Sequence, residues 1–488
     1  MRGWLKLGIL LIICIASQII FAGKTKTLKS ATYSSENLIQ ELNRIVKEQG
    51  QDAAISIQIK SMKYGDTLYA KNAYSLLTPA SILKILTAES ALLYLGLEYK
   101  FPTTLMTDAT AMNNGLIKGN LYFILTGDPT LTFTDLTDLM TALKSQDIRG
   151  ITGNVFIDTS AYDNHNLGPG WIWDDTRYCY SAPISASIIN HNCLFFKITP
   201  GKKPGQTATI LPNTHYYYGT IQNEVITKAS KARSCNIQLG QNQNAIELKG
   251  CMPKGNYAWG MSVVISNIKE YNQSLLTYLF KHSNFKVAGH ISEGNAPTHL
   301  YSIAIHESKP LTTLIKEMLK KSDNLIAGSL FKKMGEFYAR QPGSWKNGGD
   351  AVKQILIQEA SVNANNMILI DGSGLSRKNQ VTAAQLIQVL DFAFHDNRTH
   401  DAFISALPIA GIDGTLKHRL GNLTRKVHAK TGTMAASGVV SLAGYVTTNK
   451  QKEPLAFVIM VNGRPGSVWK YREMEDKIVT ALANFTRS

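Results

Sequence analysis

The 488-residue sequence has only five cysteines, and no two form a C-x-x-C pair. That spacing marks most zinc ribbons and thiol redox sites, so its absence disfavours both. Zinc-finger spacing, an RNP-type aromatic motif and an Arg-rich tail are all missing, which removes the usual grounds for a nucleic-acid partner. Neither H-E-x-x-H nor Gly-x-Ser-x-Gly occurs. The 11 histidines are scattered, and His165, His191, His418 and His428 read as surface or hydrogen-bonding residues. No metal and no cofactor is implied. Internal repeats and low-complexity tracts are also missing. Apart from Leu7 to Ala22, no apolar run approaches the ~20 residues that a membrane-spanning helix needs.

What is present fits an exported globular protein. The chain exceeds the ~250–300 residues at which one hydrophobic core stops growing, so two or more domains are expected. It is 44% hydrophobic and 18% charged, with a net charge of +16. The excess is spread thinly and suits a polyanionic neighbour such as an anionic cell wall or acidic lipid. Arg2 and Lys6 followed by the apolar stretch Leu7 to Ala22 resemble a secretory signal over 1–22. The bulky Ile20 fits poorly just before a cut at Ala22, and an uncleaved anchor is the alternative. Cys14 follows Ile13, which is wrong for a lipid-attachment box. Export would leave Cys179, Cys193, Cys235 and Cys251. An even number in an oxidising compartment reads as two bridges. Three pairings are open; Cys179–Cys193 and Cys235–Cys251 are favoured because each closes a short stretch of chain.

The texture changes along the chain. Residues 36–49 repeat with helical spacing. Ile55, Ile57 and Ile59 alternate as a strand, with a turn at Lys63-Tyr64-Gly65-Asp66 before Thr67. Pro79 and Ala80 precede a long apolar helical stretch that places Ser81 at the start of a buried helix. From 101 to 295 short strand-like pieces alternate with turn signals such as Gly127-Asp128-Pro129 and Gly168-Pro169-Gly170. This reads as an inserted β-rich region of two small domains, one of them at about 114–184 and nested within the other. After 300 helices return, followed by strands around 427–431, 439–446 and 455–461 and a C-terminal helix over 468–485.

Three short motifs carry the chemistry: Ser81-x-x-Lys84, Ser322-Asp323-Asn324 and Lys430-Thr431-Gly432. Ser-x-x-Lys recurs at Ser266, Ser283, Ser329 and Ser467, so one match alone means little. Lys-Thr-Gly occurs once. The weight lies in order and setting: one motif opens a buried helix, one lies between helices, and one ends a strand that turns back into a hairpin. A serine hydroxyl is a poor nucleophile unless a base stands beside it. On a helix, positions i and i+3 share a face, so Lys84 can reach Ser81. Burial and a second cation at Lys430 would both push the Lys84 pKa down and let it accept a proton. Ser322 can pass a proton to a leaving amine, and Asn324 can hold Lys84 and a substrate amide. Lys430 and Thr431 set a cation and a hydroxyl near a substrate carboxylate. Gly432 lets a substrate backbone approach, and the N–H groups of Ser81 and Thr433 would form an oxyanion hole. Bland readings exist for each: a helix-capping Ser322 or Asp323, an edge-strand Lys430.

This motif set, in this order, resembles the low-molecular-mass penicillin-binding proteins of the D-Ala-D-Ala carboxypeptidase/endopeptidase type, in particular the penicillin-binding protein 4 group. Asp128-Pro129-Thr130-Leu131, Gly170-Trp171-x-Trp173-x-Asp175, Asp371-Gly372-Ser373-Gly374-Leu375-Ser376-Arg377 and Gly414-Thr415-Leu416 also look like that family's segments, so the resemblance spans nearly the whole mature chain. It implies an α+β fold with a penicillin-binding-protein/β-lactamase-like transpeptidase domain, an antiparallel sheet covered by helices, built from both chain ends (23–100 and 296–488). It implies peptidoglycan stem peptides as substrate, β-lactam antibiotics as acylating inhibitors and a periplasmic location, with membrane contact at most peripheral and a homodimer left open. It further implies a pocket for the diaminopimelate side chain, in which Asp175 takes an ammonium, Arg377 a carboxylate, and Tyr180 lies beside them. The chain departs from the family after Gly432: Thr433-Met434-Ala435-Ala436-Ser437-Gly438 has no Gln-like side chain, so specificity at that lip is open. A β-lactamase and a catalytically silent wall-binding scaffold are the competing readings.

Overall fold

The computed structural model describes residues 33–214, 219–230, 234–242 and 245–487; the expected export signal at 1–22 lies outside them. Among the described residues no helix is long and apolar enough to cross a membrane.

The central sheet has five antiparallel strands: β1 (Ala54–Ser61), β2 (Thr67–Lys71), β3 (Val427–Met434), β4 (Val439–Thr447) and β5 (Pro454–Asn462), in the order β3-β4-β5-β1-β2. The two ends of the chain therefore meet in one sheet, where β5 pairs with β1 from Ala54–Asn462 to Ser61–Leu455. Seven helices matter here: α1 (Ser35–Gln49), α2 (Lys84–Leu95), α3 (Leu311–Lys321), α4 (Asn324–Ala339), α5 (Trp345–Ala360), α6 (Ala383–His395) and α7 (Val468–Ala483).

Both faces of the sheet are covered, which is why β5 reads as an unbroken apolar run rather than an alternation. Leu455, Phe457, Ile459 and Val461 pack with Leu38, Leu42 and Ile45 of α1 and Met474, Ile478 and Leu482 of α7. The interleaved Ala456, Val458 and Met460 join the core formed by α2 to α6. The α1 stripe has the i, i+4 spacing expected of a helix lying on a sheet, and the hairpin from β1 to β2 turns at Gly65, whose φ is +77°.

The inserted region departs from its expected boundaries. Leu121–Leu125 and Val155–Asp158 lie in a five-stranded sheet with Pro102–Thr107, Ile291–Glu293 and Tyr301–Glu307. Residues 114–184 are therefore not a unit nested within the rest, and the insertion runs to Glu307 rather than ending at 295. Between Val155–Asp158 and Ile291–Glu293 the chain forms two three-stranded sheets from strands within Cys193–Val264, and Lys286–Val287 then joins a small four-stranded sheet with Gly150–Ile151, Leu116–Ile117 and Met112–Asn113. The reason is long-range parallel pairing: Val155–Ile157 zips onto Ile291–Glu293, and periodicity carries no mark of such a partner. A single apolar cluster runs through both parts, from Leu121 and Phe123 to Phe196, Leu248 and Val263.

Candidate active site

Ser81 lies in a single 3-10 turn, Ala80–Leu83, that runs straight into α2. The turn is strained: Ala80 takes φ +49°, a left-handed conformation that is costly for any residue with a Cβ. Two contacts hold it. Ser441 Oγ donates to the Pro79 carbonyl at 2.6 Å, and Gly374 (φ +81°) packs so closely that a Cβ there would lie 1.9 Å from the Ala80 oxygen. Ser81 is half-buried, whereas Lys84 and the next eight residues of α2, Ile85 to Leu92, are buried.

Lys84 Nζ donates to Ser81 Oγ at 2.9 Å, to Asn324 Oδ1 at 2.6 Å and to the Ser373 carbonyl at 2.6 Å. Loss of hydration brings its pKa down to about 7, against weaker upward pulls from the Asp371 and Asp323 carboxylates. A base matched to neutral pH thus stands one hydrogen bond from a hydroxyl.

The second motif joins α3 to α4. Ser322 ends α3 in the left-handed conformation, φ +61°. Asp323, not Ser322, caps α4: its Oδ1 accepts from Ile326 N at 2.9 Å. The cap leaves the Ser322 hydroxyl free to receive Lys430 Nζ at 2.8 Å. Asn324 spans the cleft, accepting from Lys84 and donating through Nδ2 to the Tyr180 carbonyl at 2.7 Å.

The third motif lies on β3, an edge strand. Lys430 is fully buried; burial pulls its pKa well below the usual lysine range, and the charge of Lys84 adds to the effect. Opposite Gly432 stands Ser441. A Cβ at 432 would lie 2.1 Å from Ser441 Oγ and 3.0 Å from both Pro79 O and Ser81 N. Glycine is thus required here so that the strand, through Ser441, can grip the serine-bearing turn. Thr431 Oγ1 shares a 2.8 Å hydrogen bond with Thr415 Oγ1, and Thr433 Oγ1 donates to the Gly432 carbonyl at 2.7 Å.

The rim is formed by two interlocked loops. Asp371 accepts from the backbone N–H of Ser373 (2.9 Å), Gly374 (2.7 Å) and Ser376 (2.7 Å), and from the Trp171 indole at 2.7 Å. Ser376 Oγ donates to the Pro169 carbonyl at 2.6 Å. The segment from Trp171 onward carries Asp175, which accepts from Tyr180 OH at 2.6 Å; Tyr178 and Tyr180 stack with ring centroids 5.6 Å apart. A bridge joins Cys179 to Cys193, and another joins Cys235 to Cys251, the pairing favoured from the sequence.

The fold thus unites Ser81, Lys84, Ser322, Asn324, Lys430, Thr431, Gly432 and Thr433 along one cleft, and brings Asp175 and Tyr180 together on its rim. Arg377 is exposed, and no side-chain contact joins it to Asp175 or Tyr180 among the described residues. Sequence reasoning missed the Ser373 carbonyl and Ser441, and it singled out Gly414-Thr415-Leu416 without the Thr415 contact to Thr431; Arg472 Nη2 donates to Thr433 Oγ1 at 2.9 Å. The Asp371-Gly372-Ser373-Gly374 run was the available signal for the first. Cross-strand register was the signal for Ser441.

Known proteins resemble this chain over most of its length. It is 33% identical to the D-alanyl-D-alanine carboxypeptidase DacB of Haemophilus influenzae over 410 residues, covering 83% of this chain and 84% of the relative. A D-alanyl-D-alanine carboxypeptidase of an Actinomadura species is 28% identical over 470 residues, 92% of this chain and 85% of that one. The crystal structure of penicillin binding protein 4 from Haemophilus influenzae superposes with a TM-score of 0.81 at 31% identity, covering 91% of this chain and 99% of that one; its complex with a β-lactam gives 0.76 at 29% identity, with the same coverage. The expected penicillin-binding α+β fold and the likeness to the penicillin-binding protein 4 group are borne out. With the family model matching residues 38–485, the chain belongs to the D-Ala-D-Ala carboxypeptidase 3 (S13) family of serine peptidases.

Proposed function

We propose that this chain is an exported serine DD-peptidase of peptidoglycan. Ser81 Oγ attacks the carbonyl between the last two D-alanines of a stem peptide, or that of a D-Ala–diaminopimelate cross-link. Lys84 takes the hydroxyl proton as the oxygen–carbon bond forms. The scissile C–N bond breaks, and the proton reaches the departing amine through Ser322, with Lys430 beside it. The N–H groups of Ser81 and Thr433 stabilise the oxyanion. Water then cleaves the ester, releasing the carboxylate product and restoring Ser81. β-Lactams resemble the peptide terminus and acylate the same oxygen. Asp175, Tyr180 and Arg377 take the diaminopimelate side chain, and residues 101–295 with the strand up to Glu307 act as an accessory region to the peptidase domain. The two favoured disulfides fit a periplasmic location.

The observation that carries this reading is the pair of buried amines, each on a hydroxyl: Lys84 on Ser81 at 2.9 Å and Lys430 on Ser322 at 2.8 Å. Purified protein is expected to take up labelled penicillin through Ser81 and to shorten pentapeptides or split cross-linked dimers, as read by mass spectrometry of muropeptides. Labelling that persists in Ser81→Ala would overturn the assignment. Rapid antibiotic turnover without peptide hydrolysis would favour a β-lactamase.

A further inference from the structure

One of the recurring Ser-x-x-Lys matches is buried. Ser329 and Lys332 lie on α4, both fully enclosed, and no hydrogen bond joins the two among the described residues. Each turns instead to the inserted region. Ser329 Oγ donates to the Gly127 carbonyl. Lys332 Nζ donates to Asp163 Oδ1 at 2.8 Å, to the His165 carbonyl at 2.9 Å and to the Ile184 carbonyl at 3.2 Å, and lies 4.9 Å from the centre of the Trp345 ring. An ammonium has three N–H donors, and these partners use all of them. The partners share one place in the fold. Ile184 N donates to the Asn166 carbonyl at 2.8 Å, which closes residues 166–184 into a loop with a single neck. Lys332 grips that neck from both sides, at His165 and at Ile184, and Trp345 Nε1 donates to the same His165 carbonyl at 2.7 Å. The loop bears Trp171, Asp175 and Tyr180, and it returns to α4 where the Tyr180 carbonyl accepts from Asn324. One helix thus holds both the neck of the loop and its tip, at points about 12 Å apart along the axis. An apolar side chain would fill the neck without the cost of drying an ammonium. What the ammonium adds is direction, because it draws three oxygens from two strands of the loop to one point.

We propose that Lys332 is a positioning residue for the peptidase: it fixes the neck of loop 166–184 and with it the placement of Asp175 and Tyr180 over the cleft, so that it governs capture of the stem peptide rather than the chemistry at Ser81. The inference rests on the reading that this rim takes the diaminopimelate side chain, and deepens it. The reacting groups have supports of their own. Lys84 is held by Ser81, Asn324 and the Ser373 carbonyl, and Lys430 by Ser322 and the Thr431 carbonyl, so acylation does not depend on the neck.

The test compares Lys332→Met, which keeps a long side chain but loses every donor, with Lys332→Arg, which keeps the cation. In Lys332→Met, hydrogen–deuterium exchange is expected to quicken in 166–184 while the central sheet stays protected. KM for a diaminopimelate-containing peptide ending in D-Ala-D-Ala should rise about tenfold with kcat little changed, and labelled penicillin should still acylate Ser81 at the unaltered rate. Lys332→Arg should recover most of the lost KM. If Lys332→Met does not fold, Asp163→Asn, which removes the charge that the ammonium meets at a partly exposed carboxylate, is expected to give the same local pattern in milder form. Unchanged exchange in the loop would overturn the proposal. So would quickened exchange with an unaltered KM, or losses of kcat and penicillin labelling as large as the rise in KM, the signature of a general structural role. Absence of hydrolysis by the unaltered protein would overturn the peptidase reading instead, and the exchange of the loop would still decide whether Lys332 holds it.

Discussion

Lys84 is where residue-level physics is most exposed to measurement. Its ammonium form is useless as a base, and burial brings its pKa to about 7. The free-enzyme profile of kcat/KM is therefore expected to fall as pH drops through about 7, when Lys84 gains its proton. The Asp323 carboxylate raises the Lys84 pKa, so Asp323→Asn, which keeps an N-cap side chain but removes the charge, should move that acid limb to lower pH. A limb that stays in place or moves upward would refute the assignment of Lys84 as the titrating base. Lys84→Gln should lower kcat/KM by about 10²–10⁴-fold, measured against a thermal melt that confirms folding. This chemistry was legible in the sequence because Ser81 and Lys84 are three apart, a spacing that keeps them on one side whether the chain turns as the 3-10 turn at Ser81 or as the helix that opens at Lys84. The Ser373 carbonyl that completes the lysine's hydrogen bonds was not, since a backbone oxygen has no letter of its own.

At the scale of elements, the site depends on how closely three pieces of backbone approach: the turn before α2, the edge strand β3 and the loop after Asp371. Two glycines allow it. Gly374→Ala would add a Cβ against the Ala80 carbonyl at a residue with φ +81°, and is expected to destabilise the protein by more than the ~1 kcal/mol of backbone strain alone and to slow penicillin labelling. Gly432→Ala would displace Ser441 Oγ from Pro79 O. Its effect should appear mainly as lost acylation, because the sheet behind it is held by nine paired residues of β4 and β5. A denaturation midpoint together with a labelling rate for each variant checks both. Lys-Thr-Gly announces the strand in the sequence; the reason for its glycine becomes visible only once Ser441 is known to lie opposite.

At the scale of the whole molecule, the disulfides divide the labour. Cys179–Cys193 ties the rim segment bearing Asp175 and Tyr180 to the strand Cys193–Thr199, whereas Cys235–Cys251 ties the segment just before the strand Ile237–Asn242 to the strand Ala245–Pro253. Each closes a loop for which the chain-entropy model gives about 3 kcal/mol. Replacing both cysteines of the first pair by alanine is expected to raise KM for diaminopimelate-containing peptides, and replacing the second pair to lower stability with little change in KM; equal effects on KM would refute the division. The peptidase frame was legible from motif order and from apolar runs such as 455–461. The insertion's true boundaries were not, because they depend on parallel partners separated by more than a hundred residues.

The seam between β1 and β5 has a consequence for biosynthesis. A chain synthesised from its N-terminus delivers the serine turn first and must wait for Pro454–Asn462, well over three hundred residues later, before the sheet that grips that turn exists. Until the last strands and α7 emerge, Ser81 has neither Lys430 nor Ser441 beside it, so an unfinished copy holds the nucleophile without the rest of its site.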